Sequence, residues 1–364
     1  VHSCLQFYFL LDKIFEMKAN YFRYELDFKE ASGTSRGILK HKETWFIELK
    51  CQDKWGIGEC AIFRGLSCDD RPDYEEKLSW VCENIKLGRD VLYIAMNEFP
   101  SIQMGIETAF LSLESDDPYN LFPSAFTSSK ASIPVNGLIW MGDKSFMMRQ
   151  LEEKIEAGFS CIKMKVGAIN FAQELSVLKS IRKRFSKEDF IIRVDANGAF
   201  NLLEVKSKLQ ALADYDIHSI EQPIKAGQIK EMSLLCKNSP IPIALDEELI
   251  GVFDFDNKKK VLDLIKPQYI ILKPSFIGGF KGAQDWIDIA NNLRVGWWVT
   301  SALESNIGLN AISQWTYKLN SDGHQGLGTG TLFTNNIECP LVIKNGYIEY
   351  SKLKKWNKIQ EIGF

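Results

Sequence analysis

Three lysines and three carboxylates recur along this chain at intervals that would let them move protons together. Lys163 and Lys165 lie in the run CIKMKV (161–166), Asp195 in FIIRVDA (190–196), Glu221 in HSIEQP (218–223), Asp246 in IPIALDE (241–247) and Lys273 in YIILKP (269–274). Each run is short and β-rich, and each charged residue stands toward its C-terminal end. From Lys165 to Asp195 is 30 residues, followed by steps of 26 to Glu221, 25 to Asp246, 27 to Lys273 and 28 to Ser301. Taken singly, these residues are ordinary. KxK suits a solvated strand end, Asp195 a turn or cap, and Asp246-Glu247-Glu248 an acidic helix start. Order and spacing together argue for function: carboxylates from three successive strands, flanked by lysines on both sides.

Three carboxylates converging on one point repel one another unless a cation neutralises them. The chain has only four histidines (His2, His41, His218, His324), so a carboxylate-built site is expected. Such hard oxygen donors suit Mg²⁺, with Mn²⁺ able to take its place. Lys163 and Lys165 are two apart and share one face of a strand, whereas Lys273 comes from across the sheet. A substrate carboxylate on the metal would hold its α-carbon between Lys165 and Lys273. Proton removal there gives an enediolate, whose charge the metal offsets as it develops. A neighbouring ammonium and the metal favour an unprotonated lysine; the carboxylates favour the protonated one.

Such a set must be carried on a regular scaffold. Adding IPVNGLI (133–139), GWWVTSA (296–302) and GLGTGTLF (326–333) gives eight β-rich runs. The beat is that of one strand–helix unit in a TIM barrel, whose eight units fill roughly 200 to 250 residues and whose active sites lie at the C-terminal strand ends. FAQELSVLKSIRKRF (171–185) reads as one of the intervening helices. Upstream, YFRYELDFKE, TWFIELKC and WGIGECAIF alternate as an antiparallel meander, and helices are expected around 74–89 and 101–115, the second capped by Ser101. The turn-rich stretch 115–130 marks a boundary, and Asn345-Gly346 in LVIKNGYIEY marks a hairpin. The fold class is therefore α/β: a (β/α) TIM-type barrel with an α+β N-terminal capping domain completed by the C-terminal tail. The expected division is an extension at 1–16, the capping domain at 17–130, the barrel at 131–333 and a tail at 334–364 that packs back on the cap.

Bulk properties narrow the function class. The chain has 364 residues, 44 basic against 47 acidic, so neither a nucleic-acid footprint nor a polybasic membrane anchor is present. No apolar run reaches the roughly 18 to 20 residues of a membrane span. The apolar stretch 4–11 has no Lys or Arg before it and no small-residue cleavage pattern after it, which argues against a signal peptide. Eight cysteines without a CxxC pair disfavour structural zinc and a disulfide framework, and fit a reducing cytoplasm. The expected partner is a small-molecule carboxylate.

With these residues in hand, the chain resembles the muconate-lactonising subgroup of the enolase superfamily. The resemblance rests on KMK (163–165), VDAN (194–197), EQP (221–223), LDEE (245–248) and LKPSFIGG (272–279), and extends from about residue 20 to the end. Within that subgroup it is most similar to the o-succinylbenzoate synthase family, through GIGECAIFRGLS (56–67), VNGLIWMG (135–142), SALESNIGL (301–309) and GLGTG (326–330). The resemblance implies that Asp195, Glu221 and Asp246 bind Mg²⁺, that Lys165 is the base supported by Lys163, and that Lys273 stabilises the enediolate from the opposite face by a cation–π contact. It implies dehydration of 2-succinyl-6-hydroxy-2,4-cyclohexadiene-1-carboxylate to 2-succinylbenzoate in menaquinone biosynthesis. Lys165 would take the α-proton and then assist loss of hydroxide from the same face. Ser275, Gly278, Ser301 and Leu303 would contact substrate, and Gly56 to Ala61 with Arg64 would belong to a lid loop. One departure stands out: the family's fifth-strand DES is here Asp246-Glu247-Glu248. The alternatives are an N-succinylamino-acid racemase or dipeptide epimerase using both lysines as bases, and a non-catalytic metal-binding barrel. The DxD that such epimerases carry after the eighth strand is missing from GLGTGTL, and retention of all three lysines argues against a non-catalytic barrel.

Overall fold

The computed structural model describes residues 17–34, 37–167 and 169–357; the expected extension at 1–16 lies outside the described residues. Strands β1 (Lys18–Thr34), β2 (Gly37–Cys51) and β3 (Lys54–Cys60) form an antiparallel sheet in that order. The period of two divides its faces. Trp45, Ile47, Leu49 and Cys60 point into a core shared with helices α1 (Tyr74–Glu83), α2 (Arg89–Ala95) and α3 (Pro100–Glu114). The other face meets the second half of the chain: Leu26 and Phe28 pack with Trp140, Leu303 and Phe333, and Phe46 and Ile57 with Ile307 and Ile337.

Helix α3 is buried almost all round because the sheet lies on one side and the barrel on the other. Its approach to β3 requires glycine: a Cβ at Gly58 would come within 2.0 Å of the Gly105 carbonyl oxygen. The expected cap at Ser101 is displaced. Pro100 is already helical, and both the Ser101 amide and hydroxyl donate to the buried Asp69 carboxylate (2.9 and 2.6 Å). The helix expected at 74–89 ends at Glu83, and after a short 3₁₀ turn Gly88 (φ 80°) breaks the direction.

After β4 (Ser132–Pro134) come seven parallel strands, each beside its chain neighbour. They are β5 (Gly137–Ile139), β6 (Cys161–Lys165), β7 (Ile191–Asp195), β8 (Ser219–Glu221), β9 (Ile243–Leu245), β10 (Tyr269–Leu272) and β11 (Gly296–Val299). Helices follow them in turn: α4 (Lys144–Glu156), α5 (Phe171–Arg182), α6 (Val205–Ala213), α7 (Ile229–Asn238), α8 (Phe255–Ile265), the short α9 (Pro274–Ile277) leading into α10 (Gly279–Leu293), and α11 (Asn306–Lys318). Ile162, Ile192, Val194, Ile220, Ile243, Ile270 and Leu272 join one core with the inner helix faces, as expected of strands covered on both sides.

The eighth run differs from its expected form. Gln325 and Gly326 pair with Val135 and Thr300 and so join the two edges of the curled sheet, while the run's last residue, Phe333, bridges Phe28 of β1 instead. Gln325 donates to Pro134 O (2.8 Å) while its carbonyl accepts from Asn136; Gly326 donates to Val299 O (2.8 Å) and its carbonyl accepts from Ser301. A Cβ on Gly326 would lie 2.5 Å from the Thr300 hydroxyl, so this close seam needs glycine. Beyond it, 328–331 turns away, in keeping with further glycines at 328 and 330.

Strands β12 (Leu341–Lys344) and β13 (Tyr347–Tyr350) form the expected hairpin, with Asn345 (φ 50°) and Gly346 (φ 74°) both left-handed. β13 pairs with β4. Residues before the hairpin run beside β1, where Lys29 donates to Leu332 O and Thr334 to Asp27 O, both at 2.9 Å. After it, Trp356 stacks on Tyr119 (4.2 Å). Among the described residues, no helix is long and apolar enough to cross a membrane.

Candidate active site

Strand register brings the charged residues together. Lys165 is the β6 partner of Asp195 on β7, and Asp195 is the partner of Glu221 on β8. Lys163 lies two residues below Lys165 on the same inward face, Asp246 follows β9, and Lys273 follows β10 from the other side of the curl. All six meet at the C-terminal ends of the strands, where barrel sites form.

They meet as interlocked ion pairs. One Asp195 oxygen, Oδ2, lies 3.0 Å from both the Lys163 and the Lys165 ammonium. Lys163 also donates to both Glu221 oxygens at 3.0 Å. Lys273 pairs closely with Asp246 and stands 3.8 Å from Glu221. The carboxylates are buried, Asp195 completely, so their charge is expensive unless paired.

The electrostatics follow from that arrangement. Burial opposes ionisation of Asp195, but Lys163, Lys165 and Lys273 hold its carboxyl well below the usual range. Burial and the adjacent Asp195 charge push Glu221 up to about 7. Burial also raises Asp246, against the pull of Lys273. Burial would lower Lys163 and Lys273, but the surrounding carboxylates outweigh it and raise both.

The donor set fits a hard divalent cation: three buried carboxylates on adjacent strands, with no thiolate or imidazole among them. Here the lysine ammonium groups occupy the spaces between these carboxylates. Among the described residues, the grouping that brings three ligand atoms within 4.8 Å of one another is instead Glu25, Asp27 and His41, a set that could hold a divalent metal. It lies on the cap sheet, and none of its members lines the lysine cavity.

That cavity, about 90 Å³, is bounded by Lys163, Lys165 and Asn197 and, from across the curl, by Lys273. Trp140, Phe276, Ser301 and Leu303 form its walls, and Leu39, Phe63 and Leu66 from the cap roof it. A larger cavity of about 600 Å³ lies against the tail, but none of the six charged residues lines it. Of the residues expected to touch substrate, Ser301 and Leu303 face the lysines. Leu303 is held in a left-handed conformation (φ 64°), its amide donating to the Ser301 hydroxyl (2.9 Å). The other three have different partners. The Ser275 hydroxyl donates to buried Glu304 (2.6 Å), Gly278 packs against Tyr93 and Gln103 of the cap, and Arg64 pairs with Glu43 and Asp70.

Several contributors escaped the sequence reading. Asn197, left-handed at φ 44°, accepts from Lys165 (2.5 Å) and donates to Glu247 (3.0 Å), steadying the lysine that faces the cavity. The VDAN motif contained that signal. The Trp140 ring lies 5.9 Å from the Lys165 ammonium. Glu248, where the family pattern has serine, accepts from Gln222 (3.1 Å) and the Gly227 amide (2.9 Å), bracing the loop that carries Asp246.

The cap is fastened beside this wall by Glu59. Its buried carboxylate accepts from Thr44, from the Ser305 amide and hydroxyl, and from the Gly308 amide, all within 2.6–2.8 Å. It thereby holds the first turn of α11, where a negative charge is favourable. Glu59→Ala should destabilise the protein by about 2–3 kcal/mol, because charge-assisted bonds are lost and buried donors orphaned. Urea unfolding measures this, and a change within error would remove Glu59 from the junction.

Known proteins resemble this chain in sequence and fold. Residues 147–353 match the enolase C-terminal domain-like family. An o-succinylbenzoate synthase from Desulfotalea psychrophila is 41% identical over 92% of this chain and 99% of its own length. The crystal structure of MenC from that organism superposes with a TM-score of 0.82 at 39% identity, covering 92% of this chain and 99% of that one. An L-amino acid-D/L-Glu epimerase from Francisella philomiragia is 29% identical over 57% of this chain and 58% of its own.

Proposed function

The chain belongs to the o-succinylbenzoate synthase branch of the enolase superfamily, and from that premise we propose that Lys165, Lys163 and Lys273, with Asp195, Glu221 and Asp246, form its proton-transfer centre. It is a lyase, and its reaction is the dehydration of 2-succinyl-6-hydroxy-2,4-cyclohexadiene-1-carboxylate to 2-succinylbenzoate on the menaquinone pathway. One observation carries the assignment of the centre: Lys165 and Lys273 line the same cavity from opposite sides of the barrel, backed by the buried carboxylates.

Asp195, Glu221 and Asp246 would hold Mg²⁺ (or Mn²⁺), which supplies positive charge to the substrate carboxylate when bound. Lys165, in its amine form, takes the α-proton. Lys163 places a second positive charge beside the same Asp195 oxygen, next to the reacting lysine. Lys273 faces the enediolate from the other side and stabilises it by its charge. Lys165, now protonated, hands its proton to the departing hydroxide, and aromatisation drives the step. Trp140, Phe276 and Leu303 keep bulk water from the reacting carbon, while Ser301 offers a hydroxyl to the substrate.

Residues 17–130 serve as the cap and 131–333 as the barrel, and the tail over residues 334–357 ties the two together. The buried thiols of Cys60, Cys161, Cys236 and Cys339 form no disulfide, which suits work in the reducing cytoplasm.

The direct test follows ultraviolet loss of the cyclohexadiene carboxylate, with and without EDTA. Rapid conversion that EDTA stops and Mg²⁺ restores is expected. Conversion that survives exhaustive chelation would remove the metal from the reading. No conversion by folded protein would redirect the assignment to racemisation of N-succinylamino acids.

A further inference from the structure

Between Lys273 and the long helix α10 the chain makes one turn of helix and then a Gly-Gly reversal, with Gly278 at φ 96° and Gly279 at φ 68°. This connection is seated on the cap at several points. Glu107, on α3, accepts from the Phe280 amide (2.6 Å) through Oε2 and from the Lys281 amide (3.1 Å) through Oε1. Tyr93 donates its hydroxyl to the Gly278 carbonyl (2.7 Å), and Gln103 holds Tyr93 by donating to its carbonyl (2.9 Å). The fit has little slack, since a Cβ on Gly279 would come within 2.1 Å of the Glu107 carboxylate. On the cavity side of the reversal, Phe276 donates its amide to the Lys273 carbonyl (2.8 Å) and packs its ring edge-on to Phe63 of the cap. Lys273 is therefore joined to the cap carboxylate by a short stretch of chain that is hydrogen-bonded at Phe276, Gly278, Phe280 and Lys281.

We propose that Glu107 is a positioning residue for Lys273: from the cap it fixes the Gly278–Lys281 backbone, and through α9 it fixes where the Lys273 ammonium meets the substrate. This rests on the reading of Lys273 as part of the reaction centre. Glu107 touches neither the cavity nor the six charged residues. Burial pushes its carboxyl up to about 7, against the two amides that favour the anion, so the group is costly to keep charged. A serine or asparagine could cap α10 without that cost. A carboxylate uses its two oxygens to hold two successive amides, and so sets the direction of the chain as well as its end.

Steady-state kinetics on Glu107→Ala, Glu107→Gln and Tyr93→Phe test the proposal, with Glu107→Ala repeated in a Lys273→Arg background. Displacing a reacting group by a fraction of an ångström lowers the chemical rate more than substrate affinity, so Glu107→Ala should lose about 10- to 100-fold in kcat with little change in KM. Glu107→Gln, which keeps one acceptor oxygen, should recover part of the loss. Tyr93→Phe leaves the carboxylate in place and should show a smaller loss in kcat, again without a matching rise in KM. In the Lys273→Arg background, the further cost of Glu107→Ala should shrink to about twofold or less, because the group it positions is already altered. Native kcat in folded Glu107→Ala, or a full additive loss in that background, overturns the proposal. A Lys273→Arg enzyme with native kcat overturns the reading beneath it and is told apart by that single variant. Should Glu107→Ala fail to fold, native kcat in both Glu107→Gln and Tyr93→Phe overturns the proposal equally.

Discussion

Lys165→Ala should retain the fold and lose turnover by at least about 10²-fold, toward 10⁴-fold, the range removed with a positioned general base. The loss should appear in kcat and kcat/KM alike, because the amine acts on the α-proton only as the transition state forms. Three features focus the effect on this residue. Lys165 lines the cavity, Asn197 fixes its ammonium, and Trp140 closes the space beside it. The substitution leaves Lys163 bound to Asp195 and Glu221, so a catalytic failure can be separated from collapse of the ion-pair cluster. Circular dichroism checks the fold, and the ultraviolet assay checks the rate. Near-native turnover would transfer the base role elsewhere.

Asp195→Ala should act on stability as well as on rate. With metal removed, the variant should unfold about 3–5 kcal/mol more easily than the parent, the cost of stripping one partner from a buried charge pair. Asp195 is completely buried, and one of its oxygens serves both Lys163 and Lys165. Its removal leaves the two ammonium groups close together in a low-dielectric setting with one fewer counter-charge. That is a large part of the roughly 5–15 kcal/mol that holds a typical domain together. The pairs that Arg64 makes with Glu43 and Asp70 are partly open to solvent, and removing the Asp70 pair should cost at most about 1 kcal/mol. Urea unfolding in EDTA compares the two positions. Equal small changes would mean that the barrel cluster is far better solvated than its burial indicates.

The proposed centre could be placed from sequence because its members, Lys163 apart, lie at or just after the ends of strands. Strand ends recur with the period of the fold, so Lys165, Asp195, Glu221, Asp246 and Lys273 announce their positions by spacing alone. Residues whose placement depends on the cap were not readable in the same way. Leu39 and Leu66 reach the cavity through a docking of two sheets that no local pattern encodes. The same docking explains why Gly278 lies against Tyr93 and why Ser275 serves Glu304, although both belong to a motif that sequence reading assigns to the pocket. Ser101 shows the limit of capping rules: Asp69, distant in sequence, takes the hydrogen bonds that a local cap would have made. The eighth strand is shorter than its sequence suggests: in GLGTGTLF only Gly326, close against Thr300, pairs within the barrel, and Phe333 pairs with Phe28 of the cap sheet instead.

The narrow seam at Gln325 and Gly326 also bears on how this architecture can diversify. The ring is joined there by a pair of residues, and the chain leaves at once into the turn at 328–331, which supplies Gly328 and Thr329 to the cavity wall. Residues added or exchanged in that turn need not disturb the pairing that keeps the ring shut, since loops tolerate changes that sheet interiors do not. The wall on that side can be recut to admit a differently shaped acid while the lysines and carboxylates across the barrel stay fixed. Selection can thus change the substrate there without rebuilding the chemistry.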